Sequence, residues 1–397
     1  MKSNEPSKPA RRLRLGMVGG GPGAFVGAIH RFAARLDDDY ELVAAALSAD
    51  AQRNMDGGLD LHIAPDRVYA DYTEMAHWEA ARADGIDVVS IVVPNHLHFA
   101  VARAFLEVGI HVICDKPLTT SLADGLRLRD LARRKECLFA LTHNYSGYPM
   151  VRAARDLVAA GTLGEIRIIQ VEYAQEWLAE PVEQRGNRQA QWRTDPARAG
   201  PAGCLGDIGT HAAHLAEYVS GMAPAQVSAD LCSFVPGRRL DDHVQIQLRY
   251  ATGARGLLWA SQVAIGDENK LQLRIYGALG AIRWQQESAD VLWHSPLGGA
   301  ARRLTRGTPG VSDAARAAGR LPAGHPEGYI EAFAQLYRDF AVALRTQRPS
   351  DPVPDLDAGI RSLCLVEAAL ASHRADSAWT AVPDGDTHQL RKDTYAK

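Results

Sequence analysis

The chain has few cysteines, no long apolar run and almost no net charge, and each shortage removes a class of function. Its five cysteines (Cys114, Cys137, Cys204, Cys232 and Cys364) stand far apart and none forms a Cys-x-x-Cys pair. Neither a disulfide framework nor a zinc site is indicated, and a reduced, cytoplasmic setting is expected. No apolar stretch reaches the roughly 18 residues of a membrane span. A net charge of −3 over 397 residues leaves no global field for nucleic acid or anionic lipid. No His-Glu-x-x-His, cysteine cluster or Asp-rich run is present, which disfavours a metal site. The N-terminus, MKSNEPSKPARR, lacks the apolar core of a secretory signal. Residues 1–12 read as a disordered leader.

What is present is an ordinary globular composition, 46% hydrophobic and 23% charged, long enough for more than one core. Strand-like and helix-like segments alternate over residues 13–145. Ile86–Val93 is nearly continuous and β-branched, as expected of a strand buried on both faces. This predicts an α/β unit with a doubly wound parallel sheet. Beyond about Tyr148 the pattern changes. Val244, Ile246, Leu248 and Tyr250 alternate with polar residues, as do Leu271, Leu273 and Ile275. Residues 146–397 are therefore expected to form an α+β domain for substrate binding and oligomerisation. It would be built on a large, mostly antiparallel open sheet with helices on one face. Helices are predicted at Tyr329–Thr346 and Leu356–Arg374, with an irregular excursion over 298–325.

The first strand runs into Gly19-Gly20-Gly21-Pro22-Gly23-Ala24-Phe25. Glycines at a strand-to-helix turn let the backbone approach a pyrophosphate, and the helix N-terminus then offers free N–H groups. This points to a dinucleotide held by Gly19, Gly21, Pro22, Gly23, Ala24 and Phe25. The spacing departs from a clean Gly-x-Gly-x-x-Gly: Ala24 stands at the third position and Gly27 follows. At the end of the second strand, Ser48 takes the usual place of an acid, with Asp50 and Arg53 near it. NAD and NADP both stay open, with a lean toward tolerating a 2′-phosphate.

Three segments fall at predicted carboxyl ends of parallel strands: Pro94-Asn95-His96-Leu97-His98, Asp115-Lys116-Pro117 and His143-Asn144-Tyr145. Further on, Gly206-Asp207-Ile208-Gly209-Thr210-His211 places an acid and an imidazole four residues apart, on one face of a helix. A cation, an orienting acid and a titratable base are the parts needed to take a proton from an alcohol. Together these motifs resemble the Gfo/Idh/MocA family of NAD(P)-dependent sugar and cyclitol dehydrogenases, from about Leu13 to Val382. Asp115-Lys116-Pro117 replaces the family's usual Glu-Lys-Pro with an acid one methylene shorter. Asp207 and His211 match its helix motif, and Pro94, Asn95, Leu97 and His98 match its PN–LH pattern. The glycine loop departs most, with about three extra residues between Gly21 and His30.

The resemblance implies NAD or NADP as cofactor, with Pro94, Asn95, His98, Asp115 and Lys116 joining the glycine loop, Ser48 and Arg53 around it. It implies Lys116, Asp207 and His211 as catalytic residues acting on a secondary alcohol of a sugar, sugar acid or inositol-like polyol. His211 is read as the general base and Lys116 as donor to the same oxygen, while the family makes Lys116 the competing base. Asp207 would orient the imidazole or bond a neighbouring hydroxyl. Asn144, Tyr145, Trp192 and Arg193 are expected at the substrate, with 186–203 as a covering loop. Gln175-Glu176-Trp177, His214 and His325–Tyr329 are further candidates. Two other readings stay open: transient redox at a sugar carbon for glycoside cleavage or epimerisation, and a non-catalytic NAD(P) sensor. A homodimer or homotetramer through the second sheet is expected, with no nucleic-acid or membrane partner.

Overall fold

The computed structural model describes residues 11–385. The expected leader lies outside the described residues as far as residue 10. Arg11 and Arg12 are fastened to Asp87 and Asp38, at 2.6 and 2.7 Å.

The first sheet comprises β1 (Leu13–Gly19), β2 (Tyr40–Ala46), β3 (Val88–Val92), β4 (His111–Cys114) and β5 (Phe139–Leu141). Its order is β2-β1-β3-β4-β5 with every pair parallel. Helices α1 (Phe25–Leu36), α2 (Ala51–Asp60), α3 (Tyr72–Ala81), α4 (His98–Glu107) and α5 (Leu122–Arg134) connect the strands. Strand order reverses between β1 and β3, so a crevice opens beyond their carboxyl ends. Val88, Val89 and Ile91 are wholly buried, which is why β3 reads as an unbroken apolar run. Helices α2 and α3 were not anticipated. The buried face of α2 is Asn54, Gly57 and Gly58, which does not read as a core-facing helix, and α3 has no apolar stripe.

The second half begins with α6 (Pro149–Ala159), β6 (Ile166–Ala174), α7 (Arg188–Arg193), α8 (Pro196–Ala199) and α9 (Thr210–Ser220). Then follow β7 (Pro224–Cys232), β8 (His243–Tyr250), β9 (Arg255–Ser261), β10 (Lys270–Gly277), β11 (Gly280–Gln285), β12 (Val291–Pro296) and β13 (Arg302–Thr305). The chain closes with α10 (Asp313–Ala317), α11 (Tyr329–Thr346), α12 (Leu356–Arg374) and β14 (Thr380–Ala381). These strands make one sheet of order β13-β12-β11-β10-β6-β9-β8-β7-β14. It is antiparallel except that β6 and β9 run parallel. Residues 298–325, expected to be irregular, hold β13 and α10.

Helices α6, α9 and α12 cover one face of this sheet and share its core. Val244, Ile246, Leu248 and Tyr250 point into that core while Gln245 and Gln247 are exposed, as period-2 patterning requires. The late helices also return to the first sheet. Phe333, Tyr337 and Phe340 of α11 pack with Ile29 and Ala33 of α1. Ile360 and Leu363 of α12 pack with Leu118 and Leu141.

Candidate active site

One cleft of about 1670 Å³ joins the carboxyl ends of the first sheet to β6, α7 and α9. Its near wall is the glycine turn. Gly19, Gly20 and Gly23 have φ of +73°, +63° and +84°, values that suit only glycine at low cost. A Cβ at Gly19 would stand 2.3 Å from the Val92 carbonyl oxygen, so Gly19 makes the turn and itself does not line the cleft. A Cβ at Gly27 would stand 2.0 Å from the Gly20 carbonyl oxygen. Gly27, not Ala24, therefore lets α1 press against the turn. Beside Gly23 there is open space. The N-terminus of α1 has no side-chain cap and no acid in its first turn, so its positive end is unopposed. That is the donor set a pyrophosphate requires.

Gly21, Pro22, Gly23, Ala24 and Phe25 line the cleft, as do Ser48 and Arg53. The Asp50 carboxylate accepts from the Arg53 backbone N–H at 2.8 Å and caps α2. Asp56 and Asp60 also line this end.

Pro94, Asn95, Asp115 and Lys116 line the middle of the cleft. His98 does not. Its ring is wholly buried and bonds the carbonyls of Pro117 and Val93 at 2.7 and 2.9 Å. It ties the Lys116–Pro117 turn, whose peptide is cis, to the end of β3. This corrects its expected cofactor contact: α4 begins at His98 and directs the ring inward. Asp115 accepts from Thr142 Oγ1 at 2.7 Å and pairs with His30 Nε2 at 2.9 Å. His30 Nδ1 lies 2.8 Å from the Tyr337 hydroxyl and 3.1 Å from Ser90 Oγ. Burial alone would raise the Asp115 carboxyl, but His30 and Thr142 outweigh it and hold it at about 2.

Asp207 lies in a π-helical turn, Leu205–Gly209, that leads into α9. The single-face α-helix expected here is interrupted at the acid. Asp241 accepts from the N–H groups of Gly203 and Leu205 at 2.6 and 2.7 Å and secures the turn. Lys116 Nζ donates to Asp207 Oδ1 at 2.8 Å and to its carbonyl oxygen. The other carboxylate oxygen accepts from Gln262 at 2.9 Å and lies 3.3 Å from Arg193 Nε. Burial raises the Asp207 carboxyl, but Lys116 and Arg193 overcome it and hold it well below the usual range. The carboxylate thus bonds Lys116 and Gln262 and pairs with Arg193, rather than with the imidazole. The His211 ring lines the cleft edge-on to Tyr145, with centroids 5.0 Å apart. Burial first, then the Lys116 charge, pushes its pKa well below the ordinary value, so the ring is neutral near pH 7.

Behind His211 the rings of His143 and His214 stack 4.2 Å apart. His214 therefore faces the core, not the cleft, and burial holds it down at about 3. The ring nitrogens of His143, the amide of Asn144 and Nδ1 of His211 and His214 find no partner among the described protein groups. Buried groups of this kind need water or ligand partners.

Asn144, Tyr145, Trp192 and Arg193 line the cleft, with α7 lying over it. Of Gln175-Glu176-Trp177, the first and third line it, while Glu176 turns outward to the Gly266 N–H at 2.8 Å. Of His325–Tyr329, only Tyr329 does. Glu327 is buried 2.9 Å from Arg306. Sequence reasoning missed Tyr173, Gln262 and Asn269. Tyr173 closes β6, Gln262 follows β9 and Asn269 precedes β10; only Tyr173 has a sequence signal, its place at the close of a strand-like run.

Residues 13–143 match the family model of the oxidoreductase family with an NAD-binding Rossmann fold, and residues 151–283 match that of the GFO/IDH/MocA C-terminal domain. The chain is 35% identical to the uncharacterized oxidoreductase YfiI of Bacillus subtilis strain 168, over 94% of this chain and 97% of that protein. It is 30% identical to levoglucosan dehydrogenase of Pseudarthrobacter phenanthrenivorans, over 71% of this chain and 76% of that one. It is also similar to the crystal structure of an inositol dehydrogenase homolog from Azotobacter vinelandii complexed with NADH and myo-inositol. There the TM-score is 0.88 at 34% identity, covering 94% of this chain and 98% of that one.

Proposed function

The chain belongs to the GFO/IDH/MocA family of NAD-binding oxidoreductases, and from that premise we propose that it transfers a hydride between NAD(P) and a secondary alcohol carbon of a sugar, sugar acid or inositol-like polyol. The observation that carries the reading is the Lys116–Asp207 pair at 2.8 Å, set beside a neutral His211 in the cleft that the glycine turn opens. The relatives that act on or bind levoglucosan and myo-inositol support the substrate class.

NAD(P)⁺ supplies the hydride acceptor. The turn from Gly21 to Phe25 would hold its pyrophosphate, Ser48 and Arg53 its adenosine ribose, and Pro94 and Asn95 the approach to the nicotinamide. Capping engages Asp50, while Asp56 and Asp60 line the same end as Arg53, so this end holds groups for either cofactor. Lys116, tethered through two of its three donors, directs the third at the substrate oxygen. His211 accepts the hydroxyl proton. Asp207 acts on the lysine: it fixes the ammonium in place and balances its charge. Tyr145 and Asn144 would contact neighbouring hydroxyls, and α7 with Trp192 and Arg193 would cover the site.

The test is NAD⁺ and NADP⁺ reduction, run separately, across sugars, inositols and sugar acids. Turnover of at least one polyol is expected, and none with either cofactor would refute the reading. The depressed His211 pKa sets a pH prediction. A base with lowered pKa stays deprotonated through pH 6.5, so kcat/KM should be flat there and fall only at more acidic pH. A limb centred at or above 6.5 would contradict it.

We also propose a homodimer or homotetramer through the uncovered sheet face. Ile168, Leu257 and Tyr276 stand there 45%, 40% and 38% exposed, an apolar stripe that a second copy would cover. Light scattering should give a multiple of the 43.0 kDa chain mass. Monomer alone at micromolar concentration would count against it.

A further inference from the structure

The cleft continues past the residues that face the reacting carbon. From His211 a wall of bonded side chains runs outward along the end of β6. The Tyr145 hydroxyl bonds that of Tyr173, which donates to Asn269 Oδ1 at 2.8 Å. Gln175 Nε2 donates to the same oxygen at 2.6 Å, and Trp177 Nε1 donates to Gln175 Oε1 at 2.9 Å. Tyr173, Gln175 and Trp177 alternate along the chain. At about 3.3 Å per extended residue the wall is roughly 7 Å long from Tyr173 to Gln175, and Trp177 carries it further in the turn that follows β6, beyond one pyranose ring. Above it lies α7. There the Arg193 guanidinium sits 4.1 Å over the Trp192 ring and 5.9 Å from that of Trp177.

The chemistry of this outer space is specific. Its amides are already ordered by their bonds to one another, yet each NH₂ keeps a further donor for a ligand hydroxyl. The Trp177 indole, which lines the cleft, offers a flat apolar face to ring C–H groups. Asp207 is paired with Lys116 and Arg193, and the lining adds one acid, Glu268, and two bases, Arg188 and Arg198.

We propose that this outer space is a second sugar subsite and that the substrate is a two-ring glycoside. One ring would be oxidised at Lys116 and His211 while the other lies along Gln175 and Trp177 beneath α7. This rests on the dehydrogenase reading above and narrows it. A free monosaccharide or an inositol leaves the outer wall uncovered and is the poorer ligand.

The test is calorimetric titration of the NADH-loaded protein with D-glucose, myo-inositol, methyl glucosides, maltose, cellobiose, trehalose and sucrose. The measurement is repeated with Trp177→Ala and Trp177→Phe. At least one disaccharide should bind tenfold or more tighter than glucose and myo-inositol. Trp177→Ala should lower that preference ratio by tenfold or more, and Trp177→Phe should retain most of it. The proposal is overturned if no disaccharide outbinds the single rings, a comparison that needs no variant. It is also overturned if Trp177→Ala leaves the ratio in place. A disaccharide that binds tightly but reduces neither NAD⁺ nor NADP⁺ would refute the dehydrogenase reading and leave the subsite standing. Turnover of single rings with no gain from a second would do the reverse.

Discussion

Lys116→Met should lower kcat/KM by about a thousandfold or more on any polyol the protein oxidises. Removing one preorganised donor from a developing oxyanion costs on the order of 10²–10³ in rate. Here the loss is compounded, because the same ammonium holds Asp207 through two bonds. Without it the buried carboxylate keeps only Gln262 and Arg193, and Arg193 is drawn toward the acid and away from substrate. Methionine matches the aliphatic stem, so the fold should survive, and the glycine turn that would seat the cofactor is untouched. The measurement is therefore paired: steady-state kinetics on the identified substrate, and NADH binding by fluorescence. Activity within a few-fold of the unaltered protein would remove Lys116 from the chemistry. Lost NADH binding would instead assign the lysine to the cofactor.

His211→Asn should lower kcat by about 10²–10⁴, the usual contribution of a positioned acid–base group. It should also abolish the acidic limb of the pH profile, a change that a packing defect would not produce. The arrangement favours His211 over Lys116 as the proton acceptor. The Lys116 ammonium already donates to the Asp207 carboxylate and carbonyl oxygen. The imidazole is buried beside that cation, which favours its neutral form. If Lys116 is the base, the asparagine variant keeps most of its activity at high pH and the assignment reverses. The ring packs on Tyr145 and His143, at 5.0 and 5.5 Å. A melting curve separates lost packing from lost chemistry.

The fold was legible wherever local patterning and capping agreed. Helices α11 and α12 run from Tyr329 to Thr346 and from Leu356 to Arg374, the bounds read from apolar periodicity. Each begins beside its cap, at Gly328 and Asp355. Reading failed where the apolar stripe is absent, as in α3, and where the buried face is glycine and asparagine, as in α2. Among the site residues, Lys116, Asp207 and His211 stood out because each sits in a run with turn or strand-end chemistry. His98 misled because the same residue type and position serve either a cleft or a core, and only the direction of α4 decides. Gln262 and Asn269 carried no local mark at all.

By itself the sequence determined what is local. It set a glycine turn between a buried strand and a helix, an Asp-Lys-Pro corner at a strand end, and a change from continuous to alternating apolar runs between the two sheets. These follow from backbone sterics and side-chain periodicity, which act over a few residues. Only the tertiary structure decided which groups share a charge. Lys116 meets Asp207 across 91 positions of chain. His30 meets Tyr337 across 307, and through that contact a late helix helps hold the acid beside the lysine. Such pairings depend on strand order and on which helices return to which sheet. They are set by burial of whole faces, and no local pattern encodes them.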